Sequence, residues 1–364
     1  MDWLVSIVVS YGDGVQLQQL AYFVAVAELR HFTRAAEHVH VAQPSLSQQI
    51  RALERELGAE LFRRARGNIA LTDAGEALLP LARRILADTD TARLEVQELV
   101  QLRRGRVRLG ATPSLCTGLL PDVLRAYHLQ YPGIHLIIEE AGSRDLVREV
   151  ATGNLDLALL ILPLQSHDPA LATTELLREE LVVVSPASEP PLWEGGRLRI
   201  EDLRDQPLVM FRRGYDLREF TLGACRAAGF EPTFAVEGGE MDAVLGFVEA
   251  GLGLAVVPRM VADRRDSVRV TRFADPGLHR TIGLGRRNDV EPPRAARELQ
   301  RVLVDYLARA ADANDLPPGT RAIRAGSGAG RRRRTPRAAA SAVPPESVAE
   351  SEADSDSRSA SGAE

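Results

Sequence analysis

The side chains best equipped for chemistry cluster in one short segment, residues 32–57, FTRAAEHVHVAQPSLSQQIRALEREL. Gln43, Ser45, Ser47, Gln48 and Arg51 offer hydrogen-bond donors and acceptors of the kind that read base edges in a DNA groove. Helical period decides where they point. Leu46, Ile50, Leu53 and Leu57 recur at i, i+4, i+7 and i+11, one buried stripe. At ~100° per residue the opposite face carries Pro44, Ser45, Gln48, Arg51 and Arg55, with Gln43 and Ser47 on its margins. Pro44 is tolerated in a first turn, so the Gln43 end is pre-organised as a helix start, the part that a recognition helix presents to DNA.

The elements that must hold this face are a preceding helix and a following hairpin. Phe32, Ala35, Ala36 and Val39 make the apolar side of the first helix, and the Ala35-Ala36 pair lets a second helix cross closely. Thr33 and Arg34, at its start, join the DNA-facing set. Beyond Gly58, LFRRARGNIALTDAG has turn chemistry at Gly67-Asn68 between two short extended pieces and brings Arg63, Arg64 and Arg66. That is a basic wing, in which Arg64 and Arg66 neutralise phosphates while the helix reads bases. An ordinary amphipathic surface helix would show the same polar face, and arginines and acids cancel between Val15 and Glu76, so the positive charge is focal.

Ala35-Ala36, VAQPSLSQQIRALERELGAELFRR and LTDAGEALLPLAR resemble the N-terminal module of LysR-type transcriptional regulators. The segments RVRLGATPSLCTGLLPDVLRAYHLQYPGIHL, GNLDLALLILP and EAGLGLAVVPRMVA resemble the effector-binding half of that family, so the likeness runs from about Val15 to Arg309. One departure is Ala42, where many members carry a serine able to cap the recognition helix; losing that cap costs about 1 kcal/mol. The resemblance implies an α+β multi-domain chain: a winged helix-turn-helix, a long dimerisation helix and two α/β subdomains of type 2 periplasmic-binding-protein architecture. The expected boundaries are an extension at 1–14, the DNA-binding domain at 15–73, the linker helix at 74–104, and the effector domain at 105–310. Within the last, subdomain I takes 105–175 and 282–310 and subdomain II takes 176–281.

Composition agrees with a multi-domain protein of a reducing, cytoplasmic compartment. Its 364 residues suggest two or three domains, and a hydrophobic content of 45% suffices for buried cores. The net charge of -5 averages a folded body with a charge-segregated tail; every basic residue other than histidine is arginine, which reads as genomic bias. Cys116 and Cys225 lack disulfide-framework or metal spacing. No stretch is long enough to span a bilayer, and the apolar run in residues 1–14 lacks a basic leader and a cleavage site. Because the family pattern begins near Val15, and valine is encoded by the alternative start GTG, Val15 is the expected initiator; a flexible extension at 1–14 is the other reading, equally harmless to the fold.

Residues 73–103 read as one helix ~45 Å long, N-capped by Thr72, with Asp73 and Glu76 at its positive end and Pro80 in its early turns. Leu78, Ala82, Ile85, Ala92, Val96 and Leu99 form a heptad-like seam broken at Thr89. Packing within its own domain would use such a seam equally well; the resemblance implies a homodimer or homotetramer joined here, matched to a near-palindromic operator on double-stranded DNA.

From residue 105 strands and helices alternate: strands at 107–111, 134–139 and 156–162, helices at 119–130 and 143–152. A second unit follows, with strands at 181–185, 208–211, 233–236 and 254–257 and helices at 217–228 and 241–250, before a strand at 281–286 and a helix at 295–309 return to the first. This order predicts a mainly parallel sheet and, through two crossovers, a hinged cleft. Ligands bind beyond the carboxyl ends of such strands. Thr112-Pro113-Ser114, Gly142-Ser143 and Phe211-Arg212-Arg213-Gly214 are the loops in that position. The resemblance supports Ser114, Ser143 and Phe211 as cleft residues, with Thr112 beside them and Met241 as a weaker candidate; for each serine taken alone, a plain helix cap is the better reading. Arg212 suits a carboxylate on a small-molecule effector, or simple solvation.

Enzyme signals fail. There is no GxSxG elbow, His38 and His40 diverge on a helix and cannot share a metal, and the glycines at 326–330 lack the strand and helix of a phosphate loop. No cofactor is expected. Cys225, among Ala224, Ala227 and Ala228, reads as a small buried residue in preference to a redox sensor. Residues 311–364, with Arg331 to Arg334 and then an acidic end, read as a disordered, solubilising tail. The competing function class is a small-molecule carrier of solute-binding type, which shares the two-lobed architecture but needs export.

Overall fold

A computed structural model describes residues 14–65, 68–98, 105–164, 169–193 and 195–323. Three helices open the described part of the chain: α1 (Leu17–Leu29), α2 (Phe32–His38) and α3 (Gln43–Leu57). They close on a core of Leu20, Phe23, Val26, Ala35, Ala36, Leu46, Ile50 and Leu53. The small pair Ala35-Ala36 is fully enclosed, as close crossing requires. The turn between α2 and α3 places His40 at φ 56°, in the left-handed region, and Val41 N–H donates to Ala36 O at 2.9 Å.

The stripe on α3 is one residue shorter than its period suggests. Leu57 is 41% exposed. Gly58 ends the helix at φ 69°, a left-handed conformation that favours glycine, and the chain turns so that Leu61 enters the core instead. The Leu61 N–H is held by Glu54 Oε1 at 2.9 Å. Strands β1 (Phe62–Ala65) and β2 (Asn68–Leu71) then form the antiparallel wing, with Phe62 opposite Leu71.

Helix α4 (Asp73–Glu98) starts as expected: Thr72 Oγ1 accepts from Gly75 N–H at 3.1 Å. Residues 99–104, including Leu99, lie outside the described residues. The seam needs correction. Leu78 and Ala82 pack inward on the N-terminal core together with Leu79 and Leu86, because α4 lies against α1. The apolar residues left facing out are Leu81 (55% exposed), Ile85 (43%) and Val96 (65%). Further along, Asp88 meets Arg287 and Arg84 meets Asp289, so α4 also touches the C-terminal half.

That half is built on β3 (Gly105–Ala111), α5 (Pro113–Gly118), α6 (Leu120–Gln130), β4 (Ile134–Glu140), α7 (Ser143–Ala151) and β5 (Leu157–Leu162). β6 (Leu171–Pro186), β7 (Arg197–Leu198), β8 (Leu208–Met210), α8 (Asp216–Ala227), β9 (Phe234–Glu237), α9 (Met241–Glu249), β10 (Ala255–Pro258), α10 (Arg259–Ala262) and β11 (Val268–Phe273) follow. β12 (Leu278–Arg287), α11 (Arg294–Asp312) and β13 (Thr320–Ala322) complete it.

The sheet is mixed, where a mainly parallel one was expected. β4, β3 and β5 run parallel, but β12 joins β5 antiparallel, and β10, β11, β12 and β13 all pair antiparallel with β6. The βαβ pattern identifies the parallel strands; β6 and β12 are long crossovers buried along much of their length, and no helical connection announces their direction. Both run through the expected subdomain limits at 175/176 and 281/282, so those limits fall inside strands. α5, a separate short helix, precedes the expected helix at 119–130.

The disordered tail was drawn too early. α11 runs to Asp312, and β13 pairs with β6, with Glu180 N–H donating to Gly319 O at 2.8 Å and Ile323 N–H to Leu176 O at 2.9 Å. Leu316 and Ala322 pack on the core, which is enough apolar contact to hold so polar a segment. Residues 324–364, including Arg331 to Arg334, lie outside the described residues.

Candidate nucleic-acid interface and effector cleft

The outward face of α3 is polar and open. Gln43, Pro44, Ser45, Gln48, Arg51 and Arg55 are exposed, and Ser47 is half-buried, accepting from Gln43 Nε2 at 2.8 Å. Ala42 supplies no side-chain cap, so the α3 start relies on Pro44 in its first turn. Thr33 and Arg34 stand exposed at the start of α2, whose cap is His31: its Nδ1 accepts from Arg34 N–H at 3.4 Å. The wing places the Arg64 backbone on β1, and Arg63 is exposed; the Arg64 side chain and all of Arg66 lie outside the described residues.

In the C-terminal half, the carboxyl end of β3 delivers Thr112 and Ser114, both buried. Ser114 Oγ accepts from Arg280 Nη2 at 2.7 Å, and Arg280 Nε donates to Glu179 Oε2 at 2.5 Å. Glu179 and Arg280 are register partners on the crossover strands β6 and β12. Tyr215 lies near enough for the Arg280 charge to bear on its hydroxyl, although burial dominates and pushes that phenol well above its usual range. Three buried polar atoms here have no hydrogen-bond partner among the described residues: Thr112 Oγ1, Glu179 Oε1 and the Tyr215 hydroxyl.

At the next loop the two lobes touch. Ser143 Oγ donates to Asp216 Oδ2 at 2.8 Å and accepts from Ile161 N–H at 3.0 Å, while Ser143 N–H reaches the same Asp216 oxygen at 3.0 Å. A Cβ on Gly142 would stand 2.9 Å from Gly214 O, so the backbones approach as closely as glycine permits. Beside this contact opens a cavity of about 340 Å³ walled by Ser143, Val147, Leu162, Pro163, Asp216 and Phe220.

Comparison with known proteins matches this order of parts. Residues 17–76 match the bacterial regulatory helix-turn-helix protein, lysR family, and residues 101–308 match the LysR substrate binding domain. The chain belongs to the LysR family of transcription regulators. It is 31% identical over 298 residues to the transcriptional dual regulator GltC of Bacillus subtilis, covering 81% of this chain and 98% of that one. To the dual regulator OxyR of Escherichia coli it is 30% identical, covering 74% and 88%. Among solved structures, a full-length OxyR variant from Pseudomonas aeruginosa superposes with a TM-score of 0.62 at 29% identity, covering 81% of this chain and 95% of that one. Full-length CbnR complexed with its target DNA superposes at 0.60 with 26% identity, covering 82% and 100%. This LysR regulator binds DNA through its helix-turn-helix, takes an effector in its substrate-binding half and acts as an oligomer. A carrier without DNA function does not fit. Among the described residues no helix is long and apolar enough to cross a membrane.

Phe211, Met241 and Arg212 are the remaining residues of this LysR regulator expected at the cleft. Phe211 is buried and stacks on Tyr215, ring centroids 4.7 Å apart at 6°. Its carbonyl accepts from the buried Arg218 Nη1 at 2.9 Å, which fixes the loop. Met241 is buried in the main core at the start of α9. Arg212 is not a free cation, since its Nε donates to Glu240 Oε1 at 2.7 Å.

Sequence reading missed Arg280, Glu179, Tyr215 and Asp216, although two of them left a signal. Arg280 alternates with Ile282 and Leu284, and Glu179 with Leu177 and Leu181, all buried. A charge in the inward register on each of two strands marks a buried pair. Cys225 is fully buried as expected; burial and then Glu231 push its thiol up to about 11, and burial and then Glu140 push Cys116 up to about 12.

Proposed function

We propose that α3 enters the major groove with Gln43, Pro44, Ser45, Ser47, Gln48 and Arg51 toward base edges, while Thr33, Arg34, Arg64 and Arg66 meet phosphates. The observation that carries this reading is the outward face of α3, which is exposed and hydrogen-bonding directly opposite Leu46, Ile50 and Leu53. A second copy covers Leu81, Ile85 and Val96 on α4, pairing two recognition helices for a near-palindromic operator.

The effector enters between the lobes. Thr112, Ser114 and Ser143 supply its polar contacts, and Phe211 and Met241 form apolar wall. Support comes from the buried atoms Thr112 Oγ1, Glu179 Oε1 and the Tyr215 hydroxyl, which lack partners; a ligand would satisfy them. Arg212, tied to Glu240, takes part only by exchanging that partner. The functional division is a DNA-binding domain at 15–73, a linker at 74–104 and an effector domain that runs from residue 105 through β13, in a cytoplasmic regulator without catalytic activity. Ligand-dependent change of lobe orientation alters how the paired helices meet DNA, through unequal affinity for the two arrangements.

Footprinting of the full chain on genome-selected operator DNA, with and without metabolites of the adjoining pathway, tests this. Symmetric protection of two half-sites one or more helical turns apart, changed by one metabolite, is the expected result. Protection of a lone site with no metabolite response would reject the reading.

A further inference from the structure

On the outer side of the crossover strands, away from Ser114, lies a cavity of about 480 Å³. Its walls carry Arg178, Arg259, Arg272, Arg321 and His279 against two carboxylates, Glu180 and Asp275. Glu180 is already committed: Arg272 Nε donates to it at 2.6 Å and Arg259 Nη1 at 3.2 Å. Asp275 is 95% exposed and pairs with Arg197 at 3.4 Å.

Arg178 and Arg321 are left. They are direct register partners on the antiparallel strands β6 and β13. Like charges directly opposite destabilise a sheet, and neither guanidinium has a hydrogen bond or ion pair among the described residues. His279 lines the same cavity, and its buried Nδ1 has no hydrogen-bond partner among the described residues. Burial, then the charge of Arg178, hold this imidazole below its ordinary value.

The geometry points to a binding site here for a small anion bearing a phosphate or paired carboxylate groups, clasped by Arg178 and Arg321 with His279 as a hydrogen-bonding partner. Guanidinium forks match both kinds of oxyanion bidentately, and the volume is in the range of small-molecule sites. Part of the site, Gly319, Thr320 and Arg321, lies beyond residues 101–308 that match the substrate binding domain. Its walls include none of Thr112, Ser114, Ser143, Phe211, Arg212 and Met241, so it is distinct from the candidate cleft between the lobes. Its position gives it leverage: Arg178 and Glu180 flank Glu179, and His279 precedes Arg280, so an anion on this face braces the strands whose other face holds the buried pair.

Calorimetric titration of the full chain with inorganic pyrophosphate, and separately with succinate, at fixed ionic strength tests the site. Saturable binding of at least one is expected, and Arg178→Gln with Arg321→Gln should weaken it at least tenfold. Pyrophosphate binding alone identifies phosphate chemistry, succinate alone carboxylate chemistry. Since both arginines lie at exposed strand positions, circular dichroism should be unchanged; a single Arg178→Lys variant, which keeps β13 intact, should bind with intermediate affinity. No saturable binding of either probe, or undiminished binding in the double variant, overturns the site. Loss of non-operator duplex affinity in the double variant, with neither small anion bound, would instead assign these arginines to nucleic acid. The outcome does not depend on where the cleft effector sits.

Discussion

Arg280 and Glu179 face each other in register on the two strands that cross between the lobes, both almost fully buried, and Arg280 also reaches Ser114 at the cleft floor. The lobe linkage and the candidate effector loop are therefore joined through one guanidinium. Burial pushes the Glu179 carboxyl up, and Arg280 acts against that push.

Arg280→Met should cost about 3–5 kcal/mol, because it leaves the Glu179 carboxylate buried without its cation. Replacing both, Glu179→Leu with Arg280→Met, should recover most of the loss, since two apolar side chains need no partner. Urea unfolding of the two variants measures this. A single variant as stable as the parent would mean that water reaches the pair.

Gln48→Ala should relax preference at one base step in each half-site by about 1–3 kcal/mol, with little effect on non-specific binding. Arg34→Ala should weaken binding to all sequences and reduce the salt slope by about one unit. Titrations on operator and scrambled duplexes across a salt series separate the two; exchanged phenotypes would turn the recognition helix around.

Ile85→Asp should leave the isolated chain folded, since Ile85 is already 43% exposed. In the assembly it would place an unpaired charge in an apolar contact, costing several kcal/mol. Sedimentation velocity should then show monomers, whereas Leu78→Asp, which strikes the N-terminal core, should unfold the DNA-binding domain instead. An unchanged oligomer for Ile85→Asp would move the interface elsewhere.

Ser143→Ala removes the hydroxyl between Asp216 and Ile161 N–H and so cuts one contact between the lobes. Leaving a buried N–H unpaired costs about 1–3 kcal/mol. Combined with Ser114→Ala, it should leave operator affinity intact and abolish the ligand-dependent change in footprint. A preserved change would move the effector off these loops.

Both thiols should be sluggish. With Cys225 pushed up to about 11 and Cys116 up to about 12, the thiolate fraction at pH 8 is small. Iodoacetamide labelling of the native chain at pH 8 should run at least tenfold slower than in urea. Equal rates would reopen a redox-sensing role for these thiols.

The local elements were legible from residue order because period and caps act over a few residues. Leu46, Ile50 and Leu53 announce α3 and its outward face, Asn68 opens β2 opposite Ala65 as the wing requires, and Thr72 caps α4. What depended on neighbours distant in sequence was not legible. Whether Leu78 or Leu81 faced the core of the DNA-binding domain hung on where α1 lay against α4. The direction of β6 and β12 was set by pairing across some hundred residues, and the joining of Arg280 to Glu179, of Ser143 to Asp216, and of Arg321 to Arg178 followed from it. Side-chain periodicity reports which faces are buried; it carries no information on which strand lies alongside, because every buried face accepts apolar partners alike. The chain by itself therefore determined the helix-turn-helix, the alternation of its second half and its family, while the tertiary structure alone decided which charges meet across the hinge.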